Sequence, residues 1–174
     1  EHLRKKTEKI REVIDLRKGD IILDIGSNDG TTLNFFQGND LNLIGIDPTS
    51  KNFIDYYSDE ITVIPDFFSE QLFKKNCGTE KSKVVMSLSM FYDLPQPLNF
   101  MNEVKSILNT DGIWVVEQSY LPFMLKTNSY DTICHEHYEY YSLQTIKFMT
   151  DKLDLKIIDV EFNDVNGGSF SLII

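Results

Sequence analysis

The sequence predicts an α/β fold built on a seven-stranded, mostly parallel sheet with one antiparallel strand. Short apolar runs alternate with segments of helical spacing along most of the chain, which is typical of βαβ units and a parallel sheet. These runs are nearly continuous, as expected for strands covered on both faces. The last two are joined only by a short turn around 166–168, and strands with so short a connection pair antiparallel.

In the first half of the chain, the opening segment is charged and carries apolar residues at helical spacing, which predicts an amphipathic helix. Pro48 ends the second apolar run. Ser69 is a helix cap with an acidic residue close behind it. In order, the patterns predict a helix over 1–16, a strand over 21–24, a helix over 31–37, a strand over 41–47, a helix over 51–58, a strand over 61–64 and a helix over 69–75.

In the second half, the helix after the fourth strand is closed by a polar turn at 109–112. A long aromatic and polar stretch, 119–141, follows the fifth strand. The remaining elements are a strand over 83–88, a helix over 97–108, a strand over 113–117, a helix over 143–153, and strands over 155–160 and 169–174.

The composition describes one globular domain over 1–174. Its two cysteines form no CxxC pair, so neither a zinc ribbon nor a disulfide framework is expected. A net charge of −10 argues against a nucleic-acid partner, because phosphate contacts need a basic patch. No apolar run approaches the roughly 20 residues that span a bilayer and no signal peptide is visible, so we expect a cytoplasmic protein without a membrane partner. The chain begins without Met and ends inside a predicted strand, which predicts an excised or truncated domain; its oligomeric state is left open.

The turn after the first strand predicts the cofactor. Asp24 ends the strand, and Gly26, Asn28 and Gly30 follow at alternate positions, where glycines let the backbone approach a ligand. Asn28 replaces a middle glycine, and Asn is among the few residues that tolerate left-handed backbone. Asp24 would repel a pyrophosphate but attract an ammonium and a sulfonium, which favours S-adenosylmethionine over NAD. The dinucleotide pattern GxGxxG is also not met, since its third glycine would fall on Thr31.

Further positions are candidates for binding the cofactor. Asp47 ends the second strand and would hydrogen-bond ribose hydroxyls, while Asp66, after the third strand, would accept from the adenine amino group. Phe67 or Phe68 would pack on the adenine ring, with an ordinary core position as the alternative. Ser87, near the end of the fourth strand, is also in the candidate set. The alternative for the motif as a whole is a plain glycine turn beside solvated aspartates.

The segment 131–142, called the histidine loop below, concentrates two of the three histidines, two glutamates and three tyrosines. It follows the fifth strand, so we expect it above the carboxyl edge of the sheet, where open α/β folds bind substrate. Histidine suits proton transfer near neutral pH, and Glu136 could orient the ring of His137 or carry a proton itself. A purely structural role is one alternative. Zinc binding is another, but no second ligand cluster exists, so no metal site is predicted.

Together these motifs resemble the family of S-adenosylmethionine-dependent C-methyltransferases that act on nucleotide-linked deoxy-keto-sugars, and the sheet matches the class I, Rossmann-like methyltransferase architecture. The glycine motif is shared by many methyltransferases. The Cys-His-Glu-His-x-x-Tyr-Tyr segment and its spacing to Asn-Gly-Gly-Ser are far more specific. The likeness covers nearly the whole chain, and the segments that carry it are 23–30, 45–48, 89–95, 131–142 and 166–170.

The resemblance implies methyl transfer to a sugar carbon next to a ketone, with a nucleotide-sugar as the small-molecule substrate. The candidate catalytic residues are then His137, Glu136 and Tyr92. His137 and Glu136 stand in the positions of the family's proposed proton-transfer pair. Tyr92, with Tyr120 and Tyr138 as further candidates, would orient the base or steady the enolate oxygen.

Two departures from the family pattern accompany this expectation. Family members usually add an N-terminal zinc module and a C-terminal domain, which are missing from these 174 residues, and Asp93 stands where some members have a histidine. A methyltransferase with an oxygen or nitrogen acceptor is an alternative, and so is a non-catalytic S-adenosylmethionine-binding or assembly module. A carbon acceptor needs a base plus donors for the developing oxyanion, which the residues of the histidine loop suit better.

Overall fold

The computed structural model describes residues 1–174 and contains one seven-stranded sheet. Its strands are β1 (Ile21–Ile25), β2 (Asn42–Ile46), β3 (Ile61–Ile64), β4 (Ser82–Leu88), β5 (Leu108–Ser119), β6 (Asp159–Asn163) and β7 (Ser169–Ile173). They lie in the order β3-β2-β1-β4-β5-β7-β6. Strands β1, β2 and β3 pair in parallel, whereas β7 runs antiparallel to both of its neighbours. The predicted α/β fold with a C-terminal antiparallel strand is therefore confirmed.

Six α-helices accompany the strands: α1 (His2–Val13), α2 (Thr31–Asn34), α3 (Glu70–Cys77), α4 (Pro97–Ile107), α5 (Leu121–Thr127) and α6 (Leu143–Lys152). The cap predicted at Ser69 is confirmed, because its hydroxyl accepts from the Leu72 N–H at 3.1 Å. Ser142 caps α6 in the same way, accepting from the Thr145 N–H at 3.2 Å. None of the helices is both long enough and apolar enough to cross a bilayer.

The predicted helix over 51–58 is wrong. The segment forms two 3₁₀ turns, Ser50–Asn52 and Ile54–Tyr56, separated by Phe53 at φ −125°. Backbone bonds between residues three apart, such as the Tyr57 N–H to the Ile54 carbonyl, replace an α-helical ladder. The helix α5 inside the aromatic stretch 119–141 was not predicted.

Other boundaries also differ from prediction, most of all at the starts of β5 and β6. The predicted turn at 109–112 belongs to β5, where Gly112 lies so close to the β4 backbone that an added Cβ would come 3.0 Å from two of its carbonyl oxygens. The sixth strand starts at Asp159 rather than at 155, because its pairing with β7 sets its start. The Ile158 N–H donates to the Ile173 carbonyl, whereas the Leu155 N–H still bonds to Thr150 at the end of α6.

The chain divides into two compact units, and the first comprises 1–86 and 107–113. Its core is aliphatic in the strands and combines aliphatic and aromatic side chains elsewhere. The guanidinium of Arg11 lies 4.9 Å from the centre of the Phe36 ring, so α1 is held partly by a cation–π contact. Fully buried side chains of this unit include Ile10, Ile22, Leu23, Leu33, Phe36, Ile46 and Phe73.

The second unit comprises 87–106 and 114–174 and has a core rich in aromatic rings. Phe91 packs edge-on against Trp114 and Phe100 at centroid distances of 5.8 and 5.9 Å. A separate cluster joins Tyr120, Phe123, Phe162 and Phe170. These contacts support the turn after β4 and the end of β5, and the histidine loop follows β5 after helix α5.

Candidate functional site

The turn over 24–30, called the motif loop below, has left-handed backbone at three positions. Gly26, Asn28 and Gly30 have φ values of 79°, 48° and 73°. Asn28 therefore adopts the conformation that the sequence predicted it would tolerate. The loop starts from the edge of the sheet, where the Gly26 N–H donates to the Ile46 carbonyl at 2.9 Å.

Asp47 at the end of β2 holds the motif loop. One carboxylate oxygen accepts from the Asn28 N–H at 2.9 Å, and the other accepts from the backbone and the hydroxyl of Thr49, both at 2.6 Å. The side chain is almost fully buried. A carboxylate has about four lone-pair positions, so Asp47 retains acceptor capacity for a ligand hydroxyl.

Tyr57 is the residue of this site that the sequence did not reveal. Its hydroxyl donates to the Asn28 carbonyl at 2.9 Å and lies 2.8 Å from the Ser27 hydroxyl. Its ring lies under Gly30, where an added Cβ would come 2.5 Å from two ring carbons. Burial, followed by the nearby charge of Asp24, raises the pKa of Tyr57 to about 12. Tyr57 thus supports the motif loop from below. No local sequence pattern predicts this role.

Asp24 at the end of β1 is a buried carboxylate. Its residue is only 3% exposed, and its charged neighbours Asp47 and Asp29 are both acidic. Burial, followed by the charges of Asp47 and Asp29, raises the pKa of Asp24 to about 8. A buried carboxylate among acidic neighbours favours a positively charged ligand beside it. An ammonium or sulfonium would supply the missing positive charge, so the residues present fit S-adenosylmethionine.

The remaining cofactor candidates differ in their surroundings. Asp66 is exposed and accepts from the N–H of Phe67 at 2.8 Å. Phe67 is 76% exposed, so the alternative that made it a core residue is wrong for this ring. Ser87 is fully buried and accepts from the indole N–H of Trp114 at 3.1 Å. That contact gives Ser87 a partner within the chain, and its place in the cofactor set stays a prediction.

The two histidines of the histidine loop have different environments. The His137 side chain is 20% exposed and its ring centre lies 4.2 Å from that of Tyr92. Its Nε2 atom lies 4.0 Å from a carboxylate oxygen of Asp93. The His135 side chain is 93% exposed.

The predicted pairing of Glu136 with His137 is not what the structure shows. The Glu136 carboxylate is exposed and lies 3.9 Å from Nε2 of His135. Asp93 faces His137 instead. Neighbours in an irregular loop point in different directions, so adjacency in sequence did not translate into contact here. Of the other tyrosines, Tyr138 is exposed and Tyr120 lies in the aromatic cluster of the second unit.

No group of three or more histidine, cysteine or carboxylate side chains is close enough to hold a metal ion.

Comparison with known proteins identifies the class that this fold and site define. The family model described as Methyltransferase domain matches residues 1–160, and the chain belongs to that family. Its cofactor is S-adenosylmethionine, as the motif loop predicted.

Among individual proteins, the chain is 32% identical over 171 residues to the C-methyltransferase NovU of Streptomyces niveus, a match that covers 97% of this chain and 40% of that protein. The chain thus spans less than half of that relative's length. A chain in the solved complex of the Haloferax volcanii Trm112 methyltransferase activator with a methyltransferase has a TM-score of 0.72 at 13% identity, covering 98% of this chain and 92% of that one. A mycolic acid cyclopropane synthase complexed with S-adenosylhomocysteine has a TM-score of 0.69 at 14% identity, covering 91% and 62%. Both structures share the fold.

Proposed function

We propose that this chain carries out S-adenosylmethionine-dependent methylation of a carbon next to a ketone in a nucleotide-linked deoxysugar, in the cytoplasm. The likeness to a C-methyltransferase and the Cys-His-Glu-His segment support this acceptor. The observation that carries the proposal is the mostly buried imidazole of His137, packed on Tyr92 and facing Asp93. A carbon acceptor requires such a base, because its C–H bond must lose a proton before the carbon becomes nucleophilic.

The first unit would supply the cofactor contacts. S-adenosylmethionine, when bound, supplies an electrophilic methyl group on a sulfonium. Asp24 would attract its cationic end, since the carboxylate is buried and its charged neighbours Asp47 and Asp29 are acidic. Asp47 would accept from ribose hydroxyls with its remaining lone pairs. Asp66 and the exposed ring of Phe67 would contact the adenine.

The second unit would handle the proton. His137 would remove the proton next to the ketone, a role that typically contributes about 10²–10⁴-fold in rate. The developing enolate oxygen then needs a hydrogen-bond donor. Burial, with a smaller contribution from the Asp93 charge, raises the pKa of Tyr92, so its hydroxyl keeps its proton and can donate. Tyr92 is therefore the proposed donor, and Glu136 is given no role at His137.

The test is deuterium exchange at the carbon next to the ketone of a nucleotide-linked ketosugar, with S-adenosylmethionine omitted. The experiment uses the full-length protein as its gene encodes it, including any sequence that flanks these 174 residues. His137→Gln should slow exchange and methyl transfer by about 10²–10⁴-fold. Cofactor affinity, measured by calorimetry, should stay within about threefold, because the cofactor contacts lie on the motif loop. His135→Gln is the matched control and should have little effect.

Three results would count against the proposal. Exchange that is independent of His137, or a larger loss in the His135 variant, would assign the proton to another group. Methyl transfer to a hydroxyl or amine without exchange would replace the carbon acceptor with an oxygen or nitrogen one. Binding without any transfer would favour a non-catalytic module.

A further inference from the structure

We infer that Asp93 is the positioning residue for His137: its carboxylate orients the imidazole and balances the positive charge that the ring acquires when it takes a proton. This inference rests on the proposed function of His137 as a base. The two side chains face each other, with Nε2 of His137 and a carboxylate oxygen of Asp93 4.0 Å apart. That separation exceeds a hydrogen bond but suits an ion pair once the ring is protonated.

The backbone holds the two residues in register. The Tyr92 carbonyl accepts two hydrogen bonds from the histidine loop, one from the Tyr138 N–H at 2.9 Å and one from the Glu139 N–H at 3.2 Å. These bonds tie the residue before Asp93 to the residues just after His137. Backbone hydrogen bonds therefore help to hold Asp93 close to His137.

The Asp93 carboxylate has a buried oxygen without a hydrogen-bond partner. Its Oδ1 atom is shielded from solvent and accepts no bond within the chain, although the side chain as a whole is 42% exposed. An unpaired buried acceptor costs free energy, so such an atom calls for an explanation. The imidazolium of His137 would satisfy it. The unpaired oxygen thus indicates that Asp93 and His137 are arranged to suit the protonated ring.

The orientation also decides which ring nitrogen is free. With Nε2 turned toward Asp93, a proton on that nitrogen is favoured and Nδ1 carries the lone pair. The Tyr92 ring, with its centre 4.2 Å from that of the imidazole, restricts rotation of the imidazole. The C–H bond of the acceptor would break with its electron pair left on the enolate, and the proton would form an N–H bond at Nδ1. Asp93 forms and breaks no bond.

The groups around Asp93 determine how it titrates. Burial raises the pKa of the Asp93 carboxyl, the His137 charge lowers it, and the Glu136 charge raises it. The ring of Tyr140 is the other neighbour of His137, with centroids 6.2 Å apart. Removing His137 should therefore leave only burial and the Glu136 charge, both of which raise the pKa of Asp93.

The first test follows the Asp93 carboxyl carbon by NMR as a function of pH. In His137→Gln the pKa of Asp93 should rise above its value in the parent protein, whereas in His135→Gln it should not change. Equal values in the parent and in His137→Gln would overturn the inference. This readout needs no acceptor and no turnover, so it stands apart from the test of the proposed function.

The second test uses Asp93→Asn, which preserves side-chain size and removes the charge. Turnover should fall by about tenfold or more, the effect of losing an opposite charge at this range, while KM for S-adenosylmethionine stays unchanged. The acidic limb of the pH–rate profile should move to lower pH, since the ring loses its proton more readily without the carboxylate. Asp93→Glu should recover part of the activity. Turnover and profile identical to the parent's, or a loss of folding in Asp93→Glu as well as in Asp93→Asn, would show a role other than positioning.

Discussion

Replacing Gly30 by alanine should destabilise the fold because the motif loop has no room for a methyl group. Gly30 has φ +73°, and a Cβ at this position would come 2.5 Å from Cδ1 and Cε1 of Tyr57. The ring cannot swing aside freely, since its hydroxyl is bonded to the Asn28 carbonyl and to Ser27. Both the backbone conformation and the packing therefore oppose the substitution.

The two effects can be sized separately. A left-handed conformation costs a residue with a Cβ about 1–2 kcal/mol. Overpacking a tight site costs about 1–3 kcal/mol. Together they predict a loss of roughly 2–5 kcal/mol in the free energy of unfolding, which is large against the roughly 5–15 kcal/mol that a typical domain has.

Urea unfolding, followed by circular dichroism, measures this loss. Gly19→Ala is the matched control, because Gly19 has φ +86° but nothing within 4 Å of an added Cβ. It should lose only the backbone part, about 1–2 kcal/mol. S-adenosylmethionine affinity should fall in the Gly30 variant and not in the control.

A double-mutant cycle identifies the source of the clash. In a Tyr57→Ala background, Gly30→Ala should lower the free energy of unfolding only by the cost of the left-handed backbone, because the ring that the methyl group would meet is absent. Strictly additive losses, or equal losses for Gly30→Ala and Gly19→Ala, would refute the role of the Tyr57 ring.

Two further predictions concern the same loop. Tyr57→Phe keeps the ring but removes the hydroxyl that bonds to Asn28 and Ser27, and should lower the free energy of unfolding by about 1–2 kcal/mol in urea titrations; no change would show that these bonds do not support the loop. Asp24 has a folded pKa of about 8 against an unfolded value near 3.9, so its contribution to stability is full below about pH 4 and is lost as pH rises toward 8. Asp24→Asn should lack this loss, and its stability relative to the parent should grow by up to about 4 kcal/mol between pH 4 and 7; parallel pH profiles would contradict the buried charge.

The sheet could be predicted because its signals are local. Each strand is a short apolar run, and the missing helix before the last strand gives its antiparallel direction. The displaced start of β6 shows the limit of this reasoning. Residues 155–158 are as strand-like as those that follow, but pairing with β7 selects where the strand begins.

The site was predictable in part. Asp24, Asp47 and the glycines follow from strand ends and turn chemistry, which sequence displays directly. Tyr57 could not be found this way, because its contact with Asn28 joins residues 29 apart in sequence. The pairing of His137 with Asp93 was missed for the same reason: an irregular loop brings it about, and chain adjacency favoured Glu136.

Proton release on S-adenosylmethionine binding tests the role of Asp24 most directly. At about pH 6.5 the Asp24 carboxyl, with its pKa of about 8, is mostly protonated in the free chain, while the amino group of the ligand is already charged. Placing a cation beside this carboxyl should ionise it and release close to one proton per ligand. Calorimetry in buffers of different ionisation enthalpy measures that number, and Asp24→Asn should release almost none. Equal proton release from the parent and from Asp24→Asn would contradict the assignment of Asp24 to the cationic end of the cofactor.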